Sequence, residues 1–414
     1  MNLNSGTLVC ALAALGAYAL HPPVTADTEA DVAASPRISM QIGLPCRDCD
    51  GLAIGDISGN GKPDILASDG DFGQTFWFEQ GDTLEDWTKH LIFEVPDTPR
   101  EIEGNDLADF DGDGRLEAVS LDQPNGVLYL HKAGEDLRAP WATVALLRER
   151  PYIQATLVAD IRGAGRPALI YTWEGNAAGT GGVHWLEFTG DDLLNPDHWQ
   201  DHVMAQHESA WWLAPRRADL SGNGRETDIV FTARFLQGRN PGAKKGLFWL
   251  EEPEDVTGPW TVHTIDTEIP HPLHLDFGDF AGKGHGLDVA VSGFATDTIY
   301  WYSFAEDWKR HALRLPETVN EMPPDRVWNV KSIPMEGRDG ILAPVTGERQ
   351  GELLLFTPEG ETGYRANTLM RFNYGHPMDD RIRIHDLNGD GIEEIIIPDS
   401  GPGVDKLWIL RIDS

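Results

Sequence analysis

Four carboxylates fall within nine residues at Asp109, Asp111, Asp113 and Glu117, with Gly112 and Gly114 between them. Hard oxygens at alternate positions of a tight glycine turn are the donors calcium takes, six to eight at a time. The pattern returns as Asp386, Asn388, Asp390 and Glu394, and in a less charged form as Asp56, Ser58, Asn60 and Asp64. The Arg115, Ile392 and Lys62 carbonyls would supply a further oxygen in each turn. The glycines allow the positive φ that a turn around an ion demands. The last carboxylate stands at position nine, and apolar β-branched runs follow it, so the context is a hairpin and not the helix of an EF-hand. These three turns predict Ca2+ in a structural role. Three cognate turns have drifted. Asp219, Ser221 and Asn223 are followed by an acid one place late, Asp228. Ala281 and Lys283 interrupt the turn after Asp279, with the lysine replacing the ion's charge. Arg162 and Ala164 leave the turn after Asp160 without donors.

These turns belong to a repeat. The copies are LAIGDISGNGKPDILAS from Leu52, LADFDGDGRLEAVSL from Leu107, LVADIRGAGRPALIY from Leu157, RADLSGNGRETDIVF from Arg217, FGDFAGKGHGLDVAV from Phe277 and IHDLNGDGIEEIIIP from Ile384. A fixed period of this kind marks a repeat architecture. The gap before the last copy is filled by a decayed one, in which Asp325–Lys331 aligns with Asp380–Asp386 and Lys331 takes the aspartate's place. Each unit carries three more short strand patterns. The third is aromatic, as in Phe76-Trp77-Phe78, and the fourth reads Trp-x-x-His at Trp87/His90, Trp199/His202, Trp260/His263 and Trp308/His311. That recurrence assigns those histidines to blade construction. Four strands per unit and seven units predict an all-β, seven-bladed β-propeller with four-stranded blades. The last unit has three strands, and Arg37–Ile42 is a spare one before the first. It is expected to complete the seventh blade and close the ring, leaving no open edge.

The innermost strand of a propeller blade faces the axis, and its side chains alternate. Positions two and four before each leading aspartate are mostly apolar and should pack between blades. Positions three and five before it then face the channel. They bring Arg216, Arg326, Arg381 and Arg383 together with His274, Asp106, Asp276 and Trp328. A guanidinium binds a carboxylate or sulfate in two-pronged fashion. Arg–Asp pairs could also simply plug the channel. The rim opposite the acidic turns carries Glu103, Tyr152, His207, Glu208, Trp211, Trp212, His271, His376, Asp379 and Asp380. Aromatic faces beside carboxylates and imidazoles suit sugars.

The turn phrase resembles the FG-GAP/VCBS repeat of integrin α-chain propellers and of many bacterial exported proteins. The resemblance covers nearly everything after about residue 37 and implies fold and calcium. It leaves activity open, since adhesion modules, lectin-like binders and lyases share the architecture.

The chain has 414 residues and 67 acidic against 33 basic side chains, a net charge of −34. That field repels nucleic acid. Residues 1–26 read as an export signal, with an apolar run from Thr7 to Leu20 and small residues at Val24 and Ala26. Residues 27–36 are a linker and 37–414 the propeller. A secreted or periplasmic monomer with no membrane span after signal removal is expected. Cys46 and Cys49 would then form a local disulfide. The partner expected is an acidic polysaccharide or other extracellular glycan, read by Arg216, Asp276, Trp328, Arg383, Trp211, His207 and His376. A lyase extension would use Arg326 or Arg381 to neutralise a uronate, and His271, His274 or Tyr152 to move protons. The alternatives are a non-catalytic adhesion or assembly module, and a sugar dehydratase or isomerase using metal-bound histidines.

Overall fold

The computed structural model describes residues 36–47, 49–70, 72–95, 102–175, 181–207, 210–234, 245–293, 296–316, 326–346, 351–372, 382–399 and 404–413. The expected signal and all but the last linker residue lie outside them. So do Arg381, His376, Glu208, Asp379 and Asp380, and the side chain of Arg326. Strands run from β1 (Arg37–Pro45) to β29 (Lys406–Asp413) in chain order, and they form seven antiparallel sheets. The first is β2 (Cys49–Gly55), β3 (Asp64–Asp69), β4 (Gln74–Gln80) and β5 (Trp87–Glu94), paired in that order. The chain is a seven-bladed β-propeller.

The innermost strands are β2, β6 (Ile102–Ala108), β10 (Ile153–Ala159), β14 (Ala210–Leu213), β18 (Pro272–Gly278), the two pieces β22 (Arg326–Val327) and β23 (Lys331–Ile333), which both pair with β24 (Gly340–Thr346), and β27 (Arg383–His385). From β2 to β18 each touches the next, β18 touches β23, and β27 returns to β2. The seventh sheet is ordered β27, β28 (Glu394–Asp399), β29, β1, so the N-terminal strand closes the ring as expected. A disulfide joins Cys46 to Cys49 in the short passage from β1 to β2, where the last blade meets the first. Apolar side chains fill the spaces between sheets. Leu44, Leu407 and Ile409 of the last blade, for instance, pack with Leu52, Phe76 and Phe78 of the first.

The Trp-x-x-His histidines brace the blades. His90, His202, His263 and His311 each pair across strands with Trp77, Trp185, Trp249 and Trp301. The rings lie 4.8, 4.3, 4.0 and 3.9 Å apart. Glu79, Glu187 and Glu251, two residues past the first three tryptophans, hold the Nε2 of their histidines at 3.0, 3.0 and 2.8 Å.

Two details depart from the sequence expectation. The pairing of every innermost strand in the first five blades shifts near its start, as between Pro272 and Leu275 or between Glu103 and Asn105. A bulge of this kind breaks the simple alternation of side chains. In blade one it goes with Gly51 at φ +84°, where a Cβ would lie 2.9 Å from the Gly104 amide of the neighbouring blade. In blade six the register is three residues later than the sequence alignment put it. Ile333 pairs with Gly340 and Ile341 with Phe356, as Gly55 pairs with Asp64 and Ile65 with Phe78. Pro334 therefore holds the place of the leading aspartate, and Lys331, not Trp328, is the residue three before it.

Candidate functional site

A cavity of about 630 Å3 lies on the propeller axis. Innermost strands of six blades reach it, and the residues three before the turn do so in each: Asp106, Leu157, Arg216, Asp276, Lys331 and Arg383. Gly286, Asp339 and Glu393 also line it. All three belong to segments that leave the innermost strands, so the cavity opens at the acidic-turn end of the channel; it reaches inward as far as Trp212, which the sequence placed on the opposite rim.

Its charges are interleaved. Lys331 Nζ stands 3.6 Å from Asp276, whose carboxylate also accepts from the amides of Phe277 and Ser332, both at 3.0 Å. Asp339 accepts from the Asp279 amide at 2.8 Å and the Ser332 hydroxyl at 2.9 Å. Arg383 donates to the Ile382 carbonyl at 3.3 Å. Arg216 differs. Its guanidinium donates to the carbonyls of Gly286 at 2.6 Å and Arg217 at 3.4 Å, and lies 4.6 Å over the Phe277 ring. Among the described residues no carboxylate pairs with it.

The other expected site residues lie elsewhere. His274 falls inside the β18 bulge and is 1% exposed. Its Nδ1 meets the Trp328 carbonyl at 2.5 Å and its ring packs edge-on to Trp212 at 4.1 Å, so it is a blade-interface residue and does not line the cavity. Trp328 donates its indole N–H to Thr346 at 2.7 Å. His207 is half-buried and packs against the rings of Phe231 at 5.5 Å and Phe248 at 4.9 Å. His271 (φ +43°) and Tyr152 (φ +58°) precede β18 and β10 at the far rim. A seven-residue strand separates that rim from the turn end by about 20 Å. Trp211 lies under the Arg234 guanidinium at 4.4 Å. Burial, then Lys245 and Arg234, hold His271 below the ordinary imidazole range. Arg234 and Lys245 carried no repeat signal that would have singled them out.

In the acidic turns the leading aspartate caps the turn itself. Asp109 accepts from the amides of Gly112, Asp113 and Gly114 at 2.7 to 3.0 Å, and Asp386 accepts likewise from Gly389, Asp390 and Gly391. Asp160 does the same in the drifted third turn, so this role needs no ion. Asp64 satisfies both carboxylate oxygens with amides, those of Ser58 (2.7 Å) and Gln80 (2.9 Å). Asp228 and Asp288 follow suit. Glu117 and Glu394 use one oxygen on an amide, of Phe110 at 3.0 Å and Leu387 at 2.9 Å. Their other oxygen meets a cation of the chain. Lys132 Nζ lies 3.2 Å from Glu117, 3.2 Å from Asp113 and 2.5 Å from Asp111. Arg411 donates to Glu394 at 2.8 Å and to Asp390 at 2.9 Å. Burial pushes the Glu117 carboxyl up, to about 7. Asp109, Asp111 and Glu117 offer oxygens within 4.8 Å of one another, a donor set chemically suited to calcium. The ammonium of Lys132 already takes two of the three.

Residues 56–120, from the first acidic turn through the second, match the model of an FG-GAP-like repeat. A solved structure titled as a luciferin-regenerating enzyme is similar at 11% identity and a TM-score of 0.43, covering 79% of this chain and 93% of that one. No curated protein matches the chain. Among the described residues no helix is long and apolar enough to cross a membrane.

Proposed function

We propose that the protein is a binding propeller that takes a small carboxylate-bearing carbohydrate into its axial cavity. The observation that carries this reading is Arg216, a guanidinium on the cavity wall that has carbonyl and aromatic neighbours and, among the described residues, no carboxylate partner. A guanidinium offers five N–H donors in a fixed fork, and such a fork matches a uronate. Asp106, Asp276 and Asp339 supply acceptors for sugar hydroxyls around it. The volume falls within the range of small-ligand sites, about 300–1,000 Å3. The Cys46–Cys49 bridge supports an oxidising compartment outside the cytosol.

The arrangement favours binding over β-elimination. A lyase needs its neutralising cation and its proton carriers around one sugar ring. At the axial cavity the cations are Arg216 and Arg383, at the turn end of the channel, while His271 and Tyr152 lie at the other rim, where the innermost strand of blade six also begins at Arg326. Isothermal titration with oligouronates of two to four residues tests the reading. Wild-type protein is expected to bind and Arg216→Ala to bind at least tenfold more weakly with an unchanged melting temperature, while exposed Arg365→Ala binds as wild type. Equal affinity in Arg216→Ala refutes it. New ultraviolet absorbance from an unsaturated uronide would move the assignment to a lyase.

A further inference from the structure

We propose that the acidic turns of blades two and seven carry their own counter-ions, Lys132 and Arg411, and that these stand in for calcium. The proposal is independent of the axial cavity.

The two cations are one position of the repeat. Ala118 pairs with His131 and Ile395 with Leu410, and Lys132 and Arg411 are the next residues on β8 (Val127–Lys132) and β29. The same place in blades one, three and four is Glu79, Glu187 and Glu251, the acids that hold the bracing histidines. A cation thus appears at this position in the two blades whose turn ends in glutamate, and an acid appears in three blades whose turns do not. The chemistry explains the exchange. An aspartate at the end of the turn reaches two backbone amides and needs nothing more. A glutamate, one methylene longer, satisfies one amide and leaves a second oxygen inside the blade. Glu117 is 1% exposed and Glu394 is 0% exposed as side chains. A buried carboxylate without a partner is costly. Lys132 and Arg411 meet that oxygen and the neighbouring Asp111, Asp113 or Asp390 together. A tethered ammonium or guanidinium gives up far less freedom on arrival than a free ion does. Where it donates, a calcium ion would compete with it for the same oxygens.

The test compares thermal melts in chelator and in millimolar calcium, for the full chain and for Asp111→Asn, Asp390→Asn, Lys132→Met, Lys132→Arg and Arg411→Met. The wild type is expected to melt within about 2 °C in the two buffers, less than the shift a bound structural ion would give. Lys132→Met and Arg411→Met are expected to melt about 3 °C or more below wild type in chelator, and Lys132→Arg close to wild type. A wild-type melt that drops by about 5 °C or more in chelator, with the drop removed by Asp111→Asn or Asp390→Asn, overturns the proposal. So do methionine variants that melt as wild type in chelator. If a methionine variant fails to fold, the wild-type comparison with the asparagine variants decides the matter.

Discussion

A single methylene separates Glu117 and Glu394 from Asp64, Asp228 and Asp288, and it changes what the turn must find inside the blade. Glu117→Gln keeps the length and the amide contact but removes the charge that Lys132 faces. It is expected to cost about 1–3 kcal/mol in urea unfolding, and a change below about 0.5 kcal/mol would contradict that. His131 makes a second residue-scale prediction. It is fully enclosed, with Ser120 Oγ and Thr143 Oγ1 each at 2.8 Å. Burial drives its imidazole down to about 3. Between the ordinary value of about 6.5 and 3 the unfolded chain holds a proton there and the native chain does not. Stability from this group is therefore complete above pH 6.5 and falls as pH drops through that window, by about 1.4 kcal/mol per unit at most. His131→Gln should flatten this part of the profile, and denaturation midpoints at pH 7, 6, 5 and 4 would show it. Parallel profiles for the two proteins would count against it.

At the scale of the strand, the Trp–His–Glu brace joins the third and fourth strands of a blade. His263→Ala removes one stacked ring pair and is expected to cost about 0.5–1.5 kcal/mol. Trp301→Ala empties a site only 1% exposed and should cost about 3–5 kcal/mol, both read from calorimetric melts. That the histidines build the blades was legible because Trp-x-x-His recurs, but their partners, the third-strand tryptophans and glutamates, emerge only from the strand register. The channel positions three before the turn were legible in blades two to five and seven, at Asp106, Leu157, Arg216, Asp276 and Arg383, because they lie beyond the bulge. His274 was not, because a bulge lies between it and the alternation used to place it. Blade six misled through Asp325-Arg326, which mimics Asp380-Arg381. Its apolar run Ile341-Leu342-Ala343 gives the true register and brings Lys331 to the axis. Lys132 and Arg411 stayed hidden because a lone cation at a strand end has no pattern of its own. Only the pairing register shows that the same position is acidic in three other blades.

For the molecule as a whole, closure depends on two segments from opposite ends of the chain. β1 covers the outer edge of β29 through eight paired residues, from Arg37 with Asp413 to Pro45 with Lys406. The Cys46–Cys49 bridge fixes the passage from there into the first blade. Replacing both cysteines with alanine is expected to cost about 2 kcal/mol by loop entropy, measured as a lower melting temperature under oxidising conditions. An unchanged melt would show that the strand pairing alone suffices. Chains beginning at residue 46 should expose the β29 edge and elute as aggregates in size exclusion. The same pairing sets a timetable for birth on the ribosome. At about 5–20 residues per second, β1 emerges roughly 18–74 s before the strand it must meet. Throughout that interval its backbone groups and those of the half-made ring have no final neighbour. A holding factor that shields extended polypeptide should therefore bind the nascent chain from its first blade and let go only once β29 has emerged and paired with β1.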